Sequence, residues 1–187
     1  MIGEKPILFS TEMVKAILDG RKAMTRRAIS ERLLEKYYDY DDYCNAVMPR
    51  DIPCTRDYEK TYFMKMARWQ VGDILWVRET WAYKEFNHNK IYYKADSELG
   101  DVNREGGKWK PSIFMPRTAS RLFLKVTSIR VERLQDINDS DAIAEGFISI
   151  GEFRTAFDKM MTKMDGSDWY TNPWVWVIGF ERVPNGS

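Results

Sequence analysis

Histidine and cysteine are scarce in this chain of 187 residues, which has one histidine, His88, and two cysteines, Cys44 and Cys54. Zinc ribbons and His-rich metal centres need three or four ligands at set spacings, so this composition excludes both. No Gly-rich phosphate loop or nucleophile elbow occurs, and nucleotide-dependent chemistry therefore has no support. We expect no metal and no other cofactor. His88 lies between two asparagines in a predicted loop, which is more typical of a surface residue than of a general base.

Long apolar runs and an excess of one charge are also missing. The N-terminus reads MIGEKPILFS, which predicts neither a secretory signal nor a membrane-spanning helix. The cysteine spacing permits a disulfide, but a cytoplasmic setting with free thiols is favoured. Lys and Arg number 29 against 28 Asp and Glu, for a net charge of +1. Any affinity for nucleic acid must therefore come from clustering of the cations.

The composition that is present, 44% hydrophobic and 14% aromatic, is enough for one domain over residues 1–187 with a proper core. KPILF is predicted as a short strand, followed by a helix that Ser10 caps, that ends at Asp19 and that has Gly20 as its left-handed C-terminal residue. The segment GRKAMTRR is then predicted as chain leaving that helix. Residues 30–70 are harder to assign. A short helix could begin there, but the acidic tyrosine run and MPRDIPC are more typical of a surface loop.

The second half of the chain is rich in predicted strands. Strands are predicted in VGDILWVRETWAY, KIYYKAD, SRLFLKVTSIRVERL and NPWVWVIGFERV, with a bulge near Thr127–Ser128. A short helix capped by Asn138 and stopped by Gly146 is predicted in QDINDSDAIAEGF. An amphipathic helix with a Phe and Met stripe is predicted in GEFRTAFDKMMTKMDG. Strands outnumber helices and no βαβ rhythm occurs, which favours an α+β fold built on a mixed β-barrel.

The segment GRKAMTRR is the first candidate site. Lys22 and Thr25 lie three positions apart, and Arg21, Arg26 and Arg27 flank them. A threonine hydroxyl becomes a nucleophile only when a base takes its proton, and a lysine can serve as that base if burial or nearby cations depress its pKa. The arginines could also bind phosphate. The plainer alternative, which spacing alone favours, is a set of cations that complement the negative end of the preceding helix dipole.

Two further groups complete the candidates. Glu145 lies at the end of the short predicted helix, where a solvent-facing carboxylate would be unremarkable. Cations and aromatic rings, the two components for holding a base and its phosphate, occur at Arg117, Arg121, Trp81 and Trp174, with Ser120 among the small residues between the two arginines. The alternative is again ordinary, because most tryptophans belong to the core.

Five segments, in this order, resemble the ASCH domain family of the PUA-like superfamily, in its bacteriophage and prophage branch. They are KPILFSTEMVKAILDGRKAMTRR, VGDILWVRETWA, KWKPSIFMPRTASR, VTSIRVERLQDINDSDAIAEGF and NPWVWVIGFERV. The resemblance spans nearly the whole chain apart from insertions at about 28–70, 84–107 and 148–170. It implies a PUA-like mixed β-barrel closed by helices and, if the chain is phage-encoded, the cytoplasm of a bacterial host.

The resemblance also implies a chemistry. One branch of the family is a small bacterial N4-acetylcytidine amidohydrolase that uses Lys, Thr and Glu, and the matching positions are Lys22, Thr25 and Glu145. In the implied metal-independent mechanism, Lys22 draws the proton from Thr25, Thr25 attacks the amide carbonyl, and Glu145 orients Lys22 or protonates the leaving amine. The chain departs from the expected phage motif HMPRW at Phe114 and Thr118, where His and Trp are replaced.

Other functions stay open at this point. The same cleft could bind a nucleoside or single-stranded RNA or DNA without cleaving it, or could act as a ribonuclease. The insertions could also carry a surface for a protein partner, as in a phage accessory protein. The residues do not determine the oligomeric state.

Overall fold

The computed structural model describes residues 3–47, 56–84, 87–96, 108–161 and 168–184. Its strands are β1 (Glu4–Leu8), β2 (Met24–Ala28), β3 (Ile74–Arg78), β4 (Trp81–Lys84), β5 (Asn87–Tyr93), β6 (Phe123–Arg133) and β7 (Trp174–Val183). Its helices are α1 (Thr11–Leu18), α2 (Glu31–Val47), α3 (Arg56–Lys65), α4 (Asp139–Ala144) and α5 (Ile150–Met161). The α+β class is therefore confirmed. No helix among these residues is both long enough and apolar enough to cross a bilayer.

Five strands form one mixed sheet in the order β1-β3-β6-β7-β2, and β4 pairs with β5 in a separate hairpin. Strands β1 and β3 are parallel and the other pairs are antiparallel. The predicted closed barrel is not observed, because no backbone ladder joins the edge strands β1 and β2 in the described chain. A side chain links them instead, since the Arg27 guanidinium of β2 donates to the Leu8 carbonyl of β1.

Strand β7 separates two hydrophobic cores, as its alternation predicts. Trp174, Trp176 and Ile178 pack into the larger core. Val175 and Val177 point the other way, into a smaller core with residues from α4 and α5. The site described below lies where β2, next to β7 in the sheet, meets these two helices.

A helix begins at Glu31, as the sequence allowed, but α2 continues through the acidic tyrosine run, so the prediction of a surface loop for that run is wrong. Residues 56–65 form α3. Tyr37 and Phe63 are buried in the larger core, and the Trp176 indole donates to the Phe63 carbonyl over 3.0 Å. The two helices expose polar and tyrosine side chains on their other faces, which is why the sequence shows little apolar periodicity. MPRDIPC, with Cys54, lies outside the described residues, as do parts of the other two predicted insertions.

The segment after α1 is also different from the prediction. Ser10 caps α1 and Gly20 has a φ of 74°, both as expected. Residues 24–28 then form strand β2 instead of irregular chain and pair with β7, with Thr25 opposite Ile178. Two adjacent arginines do not predict a buried strand. The strand forms because carboxylates far away in the sequence neutralise one of these arginines, and the local sequence does not show that pairing.

The remaining elements follow their sequence signals, with small differences in their bounds. The register of β6 against β7 shifts between Val126 and Ser128, so the predicted bulge is confirmed. The Asn138 side chain caps α4, and Gly146 follows it with a φ of 92°. Strand β5 begins at Asn87 and therefore contains His88, which was predicted in a loop.

Candidate functional site

Two segments more than a hundred positions apart meet through their backbones to build the candidate site. Lys22 and Glu145 form an isolated antiparallel bridge, and the Ala23 amide donates to the Ala144 carbonyl over 2.8 Å. Gly146 permits this approach, since a Cβ there would lie 3.3 Å from the Cβ of Lys22 and also crowd α1. The glycine that ends α4 therefore also positions Glu145 against Lys22.

Lys22 and Glu145 form a buried ion pair. The Lys22 Nζ lies 2.7 Å from Glu145 Oε2 and donates to the Glu145 backbone carbonyl over 2.8 Å. The Lys22 side chain is 0% exposed and that of Glu145 is 3% exposed. The ring of Phe9, 5.7 Å from Nζ, lies on another side of the ammonium group. Both groups are thus shielded from solvent and held in one geometry.

This environment lowers the pKa of Lys22 from its ordinary value of 10.5. Burial is the largest cause, because an ammonium group loses its hydration in the protein interior. The Glu145 carboxylate opposes the shift, whereas Arg27 and Arg26 add to it. The neutral amine that a general base requires is therefore easier to reach here than on a surface lysine.

Arg26 contacts the other carboxylate oxygen of Glu145 and belongs to a closed network of ion pairs. Its guanidinium lies 3.4 Å from Glu145 Oε1 and 2.5 Å from both Glu132 and Asp141. Arg130 contacts the same two carboxylates, over 2.8 Å and 2.5 Å, which closes the ring. Arg26 is buried and its charge is neutralised by these carboxylates, so the structure gives it a positioning role and not the expected phosphate contact.

Thr25 and Glu145 line one cavity at this place. Its volume is about 20 Å³, which is room for about one water molecule. The other walls come from β2, α1, the turn after α4 and α5, with Met13, Arg26, Arg27, Phe147, Phe153, Ala156, Phe157 and Met160. Thr25 is buried, and no residue of the described chain hydrogen-bonds its hydroxyl, Lys22 included. Thr25, the candidate nucleophile, and the Glu145 carboxylate therefore line the same cavity. Lys22 bonds Glu145 but does not line the cavity itself.

The two remaining arginines of the basic segment differ from each other. Arg27 contacts the Phe9 ring at 5.3 Å and has no carboxylate partner in the described chain. Burial lowers the pKa of Arg27, and Glu145 opposes this effect. Arg21 is exposed and pairs with Asp19 over 2.9 Å. Of the two, only Arg27 lines the cavity.

The predicted group of cations and aromatic rings lies elsewhere, and in the described chain none of its members lines this cavity: Trp81, Arg117, Ser120, Arg121 and Trp174. The Arg121 guanidinium donates two hydrogen bonds, of 2.9 Å and 3.1 Å, to the buried Glu79 carboxylate. The same guanidinium stacks on the Tyr93 ring, 4.0 Å from its centroid. Burial raises the pKa of Glu79, and Arg121 opposes that shift. Ser120 donates to the Val77 carbonyl over 2.9 Å.

The other three residues of that group also have structural partners. Arg117 pairs with Glu4 on the surface over 2.8 Å. Trp81 is buried in the small core under the hairpin, and Trp174 is buried in the larger core with Arg133 stacked on it at 4.2 Å. The structure does not bring these residues to Lys22, Thr25 and Glu145.

The sequence reasoning missed the carboxylates that hold Arg26. One signal was available, because Asp141 and Glu145 lie four positions apart around α4 and must share a side of the helix. Glu132 carried no comparable signal, since only the pairing of β6 with β7 and of β7 with β2 places it near Arg26.

Comparisons with known proteins give structural likeness alone. No family model matches the chain, and no curated protein matches it. An ASCH domain from Lactobacillus crispatus JV V101 superposes with a TM-score of 0.44 at 13% identity, over 98% of this chain and 81% of that one. Protein EF3133 from Enterococcus faecalis V583 superposes with a TM-score of 0.46 at 10% identity, over 98% and 82% of the two chains. Likeness at this level does not assign an activity to this chain.

Proposed function

We propose that this chain is a hydrolase that removes the acyl group from N4-acylated cytidine through Lys22, Thr25 and Glu145. The observation that carries the proposal is the buried Lys22–Glu145 pair beside a cavity that Thr25 and Glu145 line together. A buried ion pair costs desolvation energy, and strongly perturbed ionisable groups next to a cavity are typical of functional sites. The resemblance of five sequence segments to ASCH domains supports the same three residues and membership of that family's phage branch.

The reaction is an acyl transfer in two steps. Thr25 Oγ1 gives its proton to the neutral Lys22 amine and forms a bond to the acyl carbon, and the bond from that carbon to N4 breaks. The proton passes from Lys22, or from Glu145, to the departing N4 amine. Water then attacks the threonine ester, gives a proton to Lys22, and releases the carboxylic acid as Thr25 regains its hydrogen.

The cavity has to enlarge before a nucleoside can enter, because its present volume suits about one water molecule. Phe147 and Met160 are half-buried wall residues and are the side chains whose rotation would open it. Such a movement would also let Thr25 approach Lys22, since catalytic hydrogen bonds often form only when the substrate is bound.

The test is turnover of N4-acetylcytidine, followed as released cytidine by chromatography. We expect the wild type to form cytidine and Lys22→Ala to form none above background. Lys60→Ala, at an exposed lysine of α3, is the matched control and should be as active as the wild type. Absence of turnover by the wild type, or equal turnover by Lys22→Ala, would refute the proposal.

A second function, a modified-base or RNA reader without catalysis, is favoured by one observation. Lys22 already donates two hydrogen bonds to Glu145, and Thr25 is not bonded to it in the described chain. Such a protein would bind N4-acetylcytidine and leave it intact. Calorimetric binding without release of cytidine would therefore replace the first function by the second.

A further inference from the structure

The cavity at the candidate site has two unlike walls. Strand β2 and the residue after α4 supply a polar wall, which consists of Thr25, Arg26, Arg27 and Glu145. The opposite wall is apolar, and helix α5 supplies four of its six residues: Met13, Phe147, Phe153, Ala156, Phe157 and Met160. A chemical group that is polar at one end and apolar at the other therefore matches the lining of this cavity.

Helix α5 presents the apolar wall as one of its faces. Ala156, Phe157 and Met160 lie three, four and seven positions after Phe153, a spacing that places all four on one side of a helix. Phe153 and Phe157 are buried with their ring centroids 5.9 Å apart, and Ala156 is half-buried. Because Ala156 has no atoms beyond Cβ, it leaves space that a larger side chain would fill.

The polar wall contains donors without acceptors. Arg26 and Arg27 both line the cavity, and the Nε group of each is buried and has no hydrogen-bond partner in the described chain. A buried donor that stays unpaired is unfavourable, so an acceptor that enters the cavity on this side is stabilised. The Thr25 hydroxyl belongs to the same wall. A carbonyl group suits this side, because its oxygen is an acceptor and its carbon is the atom that Thr25 would attack.

We infer that the apolar wall supplied by α5 is an acyl pocket that restricts the substrate to short alkyl acyl groups, with acetyl as the best fit. The inference rests on the proposed function, in which Thr25 attacks the acyl carbon. The alkyl end then lies against α5 and the carbonyl oxygen lies on the β2 side. The cavity of about 20 Å³ suits a group of about the size of one methyl, and each further methylene has to displace a packed side chain.

This pocket is a feature of the chain's own insertion. All of α5 (Ile150–Met161) lies in the predicted insertion at about 148–170, outside the five segments that resemble ASCH domains. The opening movement of Phe147 and Met160 then has to make room for the base alone, because the acyl group takes the space that is already present. The length of the acyl chain is therefore the property of the substrate that α5 determines.

The test is a comparison of kcat/KM for N4-acetyl-, N4-butanoyl- and N4-hexanoylcytidine, followed as released cytidine by chromatography. These straight-chain amides have nearly the same intrinsic reactivity, so differences between them report the fit of the chain. The wild type should favour the acetyl over the butanoyl substrate by about tenfold or more, since one misfitting methylene changes kcat/KM by about 10- to 200-fold. Equal values for the three substrates, or a preference for the hexanoyl substrate, would overturn the inference.

Two variants of α5 should change the fit in opposite directions. Ala156→Leu fills the pocket and should lower kcat/KM for the acetyl substrate by about tenfold or more. Met160→Ala enlarges the pocket and should raise the ratio of butanoyl to acetyl turnover by about tenfold, whereas easier opening of the cavity would raise both equally. An unchanged kcat/KM in Ala156→Leu together with an unchanged ratio in Met160→Ala would contradict the assignment of α5.

The control is Lys159→Ala, which truncates an exposed side chain of the same helix. It should match the wild type for every chain length. Thermal unfolding verifies that each variant is folded. A shift in chain-length preference by Lys159→Ala as large as that by Met160→Ala would show a general effect on α5 and would also overturn the inference.

Binding separates this inference from the proposed function. If the wild type hydrolyses none of the three compounds, calorimetry should still give the tightest binding for N4-acetylcytidine, and Met160→Ala should reduce its advantage over the butanoyl compound. The proposed function then fails and the pocket stands. If all three compounds are hydrolysed with equal kcat/KM, the proposed function stands and the pocket fails. Neither hydrolysis nor binding of any of the three would refute both.

Discussion

Two buried carboxylates in this molecule are each paired with a cation, and their surroundings differ. Glu145 is paired with Lys22, whose side chain is 0% exposed, and it borders a cavity. Glu79 is paired with Arg121, whose side chain is 23% exposed and which also reaches Asp96. One guanidinium fork satisfies both oxygens of Glu79, whereas two cations share Glu145, with Lys22 on one carboxylate oxygen and Arg26 on the other at 3.4 Å.

The nearby hydroxyl groups show the same contrast. Ser120, next to Arg121, donates its hydroxyl hydrogen to the Val77 carbonyl over 2.9 Å. Thr25, in the cavity wall, is bonded by no residue of the described chain. A polar cluster whose bonds are all satisfied holds segments together, whereas a hydroxyl kept without a partner beside a titratable pair is available for chemistry. The difference supports a structural role for the Glu79 region and supports the proposal that the reaction takes place in the Glu145 region.

The largest expected effect separates the two hydroxyls. Thr25→Val should lower turnover of N4-acetylcytidine by about 10⁴-fold or more, because the reaction then has no covalent nucleophile. The free energy of unfolding should change by less than about 1 kcal/mol, since no hydrogen bond is lost. Ser120→Ala should cost about 1–2 kcal/mol of stability and leave turnover unchanged. Chromatography and urea unfolding measure both, and an active Thr25→Val would remove the distinction.

The next effect separates the two cations. Lys22→Met should reduce turnover by about 10²- to 10⁴-fold through loss of the general base. Arg121→Met should leave turnover per folded molecule unchanged. Arg121→Met leaves the buried Glu79 without a cation and should lose about 3–5 kcal/mol of stability in urea, whereas Lys22→Met should lose less because Arg26 still contacts Glu145. A large loss of turnover in folded Arg121→Met would contradict the assignment of its region to structure.

Replacing both members of each pair sharpens the comparison with a smaller effect on stability. Glu79→Leu/Arg121→Met should be more stable than Arg121→Met by about 2 kcal/mol, because no buried carboxylate is left unpaired. Lys22→Met/Glu145→Leu should differ less from Lys22→Met, in which Arg26 still contacts Glu145. The first double variant should keep its turnover and the second should have none. Identical behaviour of the two would mean that both pairs have the same role.

The smallest effect is on the pH dependence of stability. The pKa of Lys22 in the folded protein is lowered by burial, whereas the unfolded chain keeps the ordinary value of 10.5. Between these two values the unfolded state binds more protons, so the free energy of unfolding rises with pH. This contribution is complete above pH 10.5 and is lost as pH falls through the folded pKa. Turnover should rise as the pH passes through the lowered pKa of Lys22 in the folded protein and level off above it.

Urea unfolding of the wild type and Lys22→Met across this interval measures the contribution as the difference between their slopes. Arg121→Met is the control, because the pKa of Arg121 is raised and its charge does not change there. Equal slopes for the wild type and Lys22→Met would mean that Lys22 stays protonated and cannot act as the base.

Several elements were predictable because their signals are local. Ser10 and Asn138 cap helices, Gly20 and Gly146 end them, and β6 and β7 alternate with the expected period. Strand β2 was not predictable, since arginine is uncommon in a buried strand and only Glu132 and Asp141 make its burial tolerable. Helices α2 and α3 were hidden by their exposed tyrosines, although Tyr37 and Phe63 are core residues.

The candidate site also has one part that the sequence predicted and another part that it did not. The sequence by itself determined the three candidate residues, through one basic segment and the glutamate before Gly146. Only the tertiary structure decided that Glu145 bonds Lys22 and not solvent, that Arg26 is neutralised, and that the sheet stays open with Arg27 across its edges. The physical reason is that ion pairing and burial depend on which distant segments the strands bring together, and no local propensity records that arrangement.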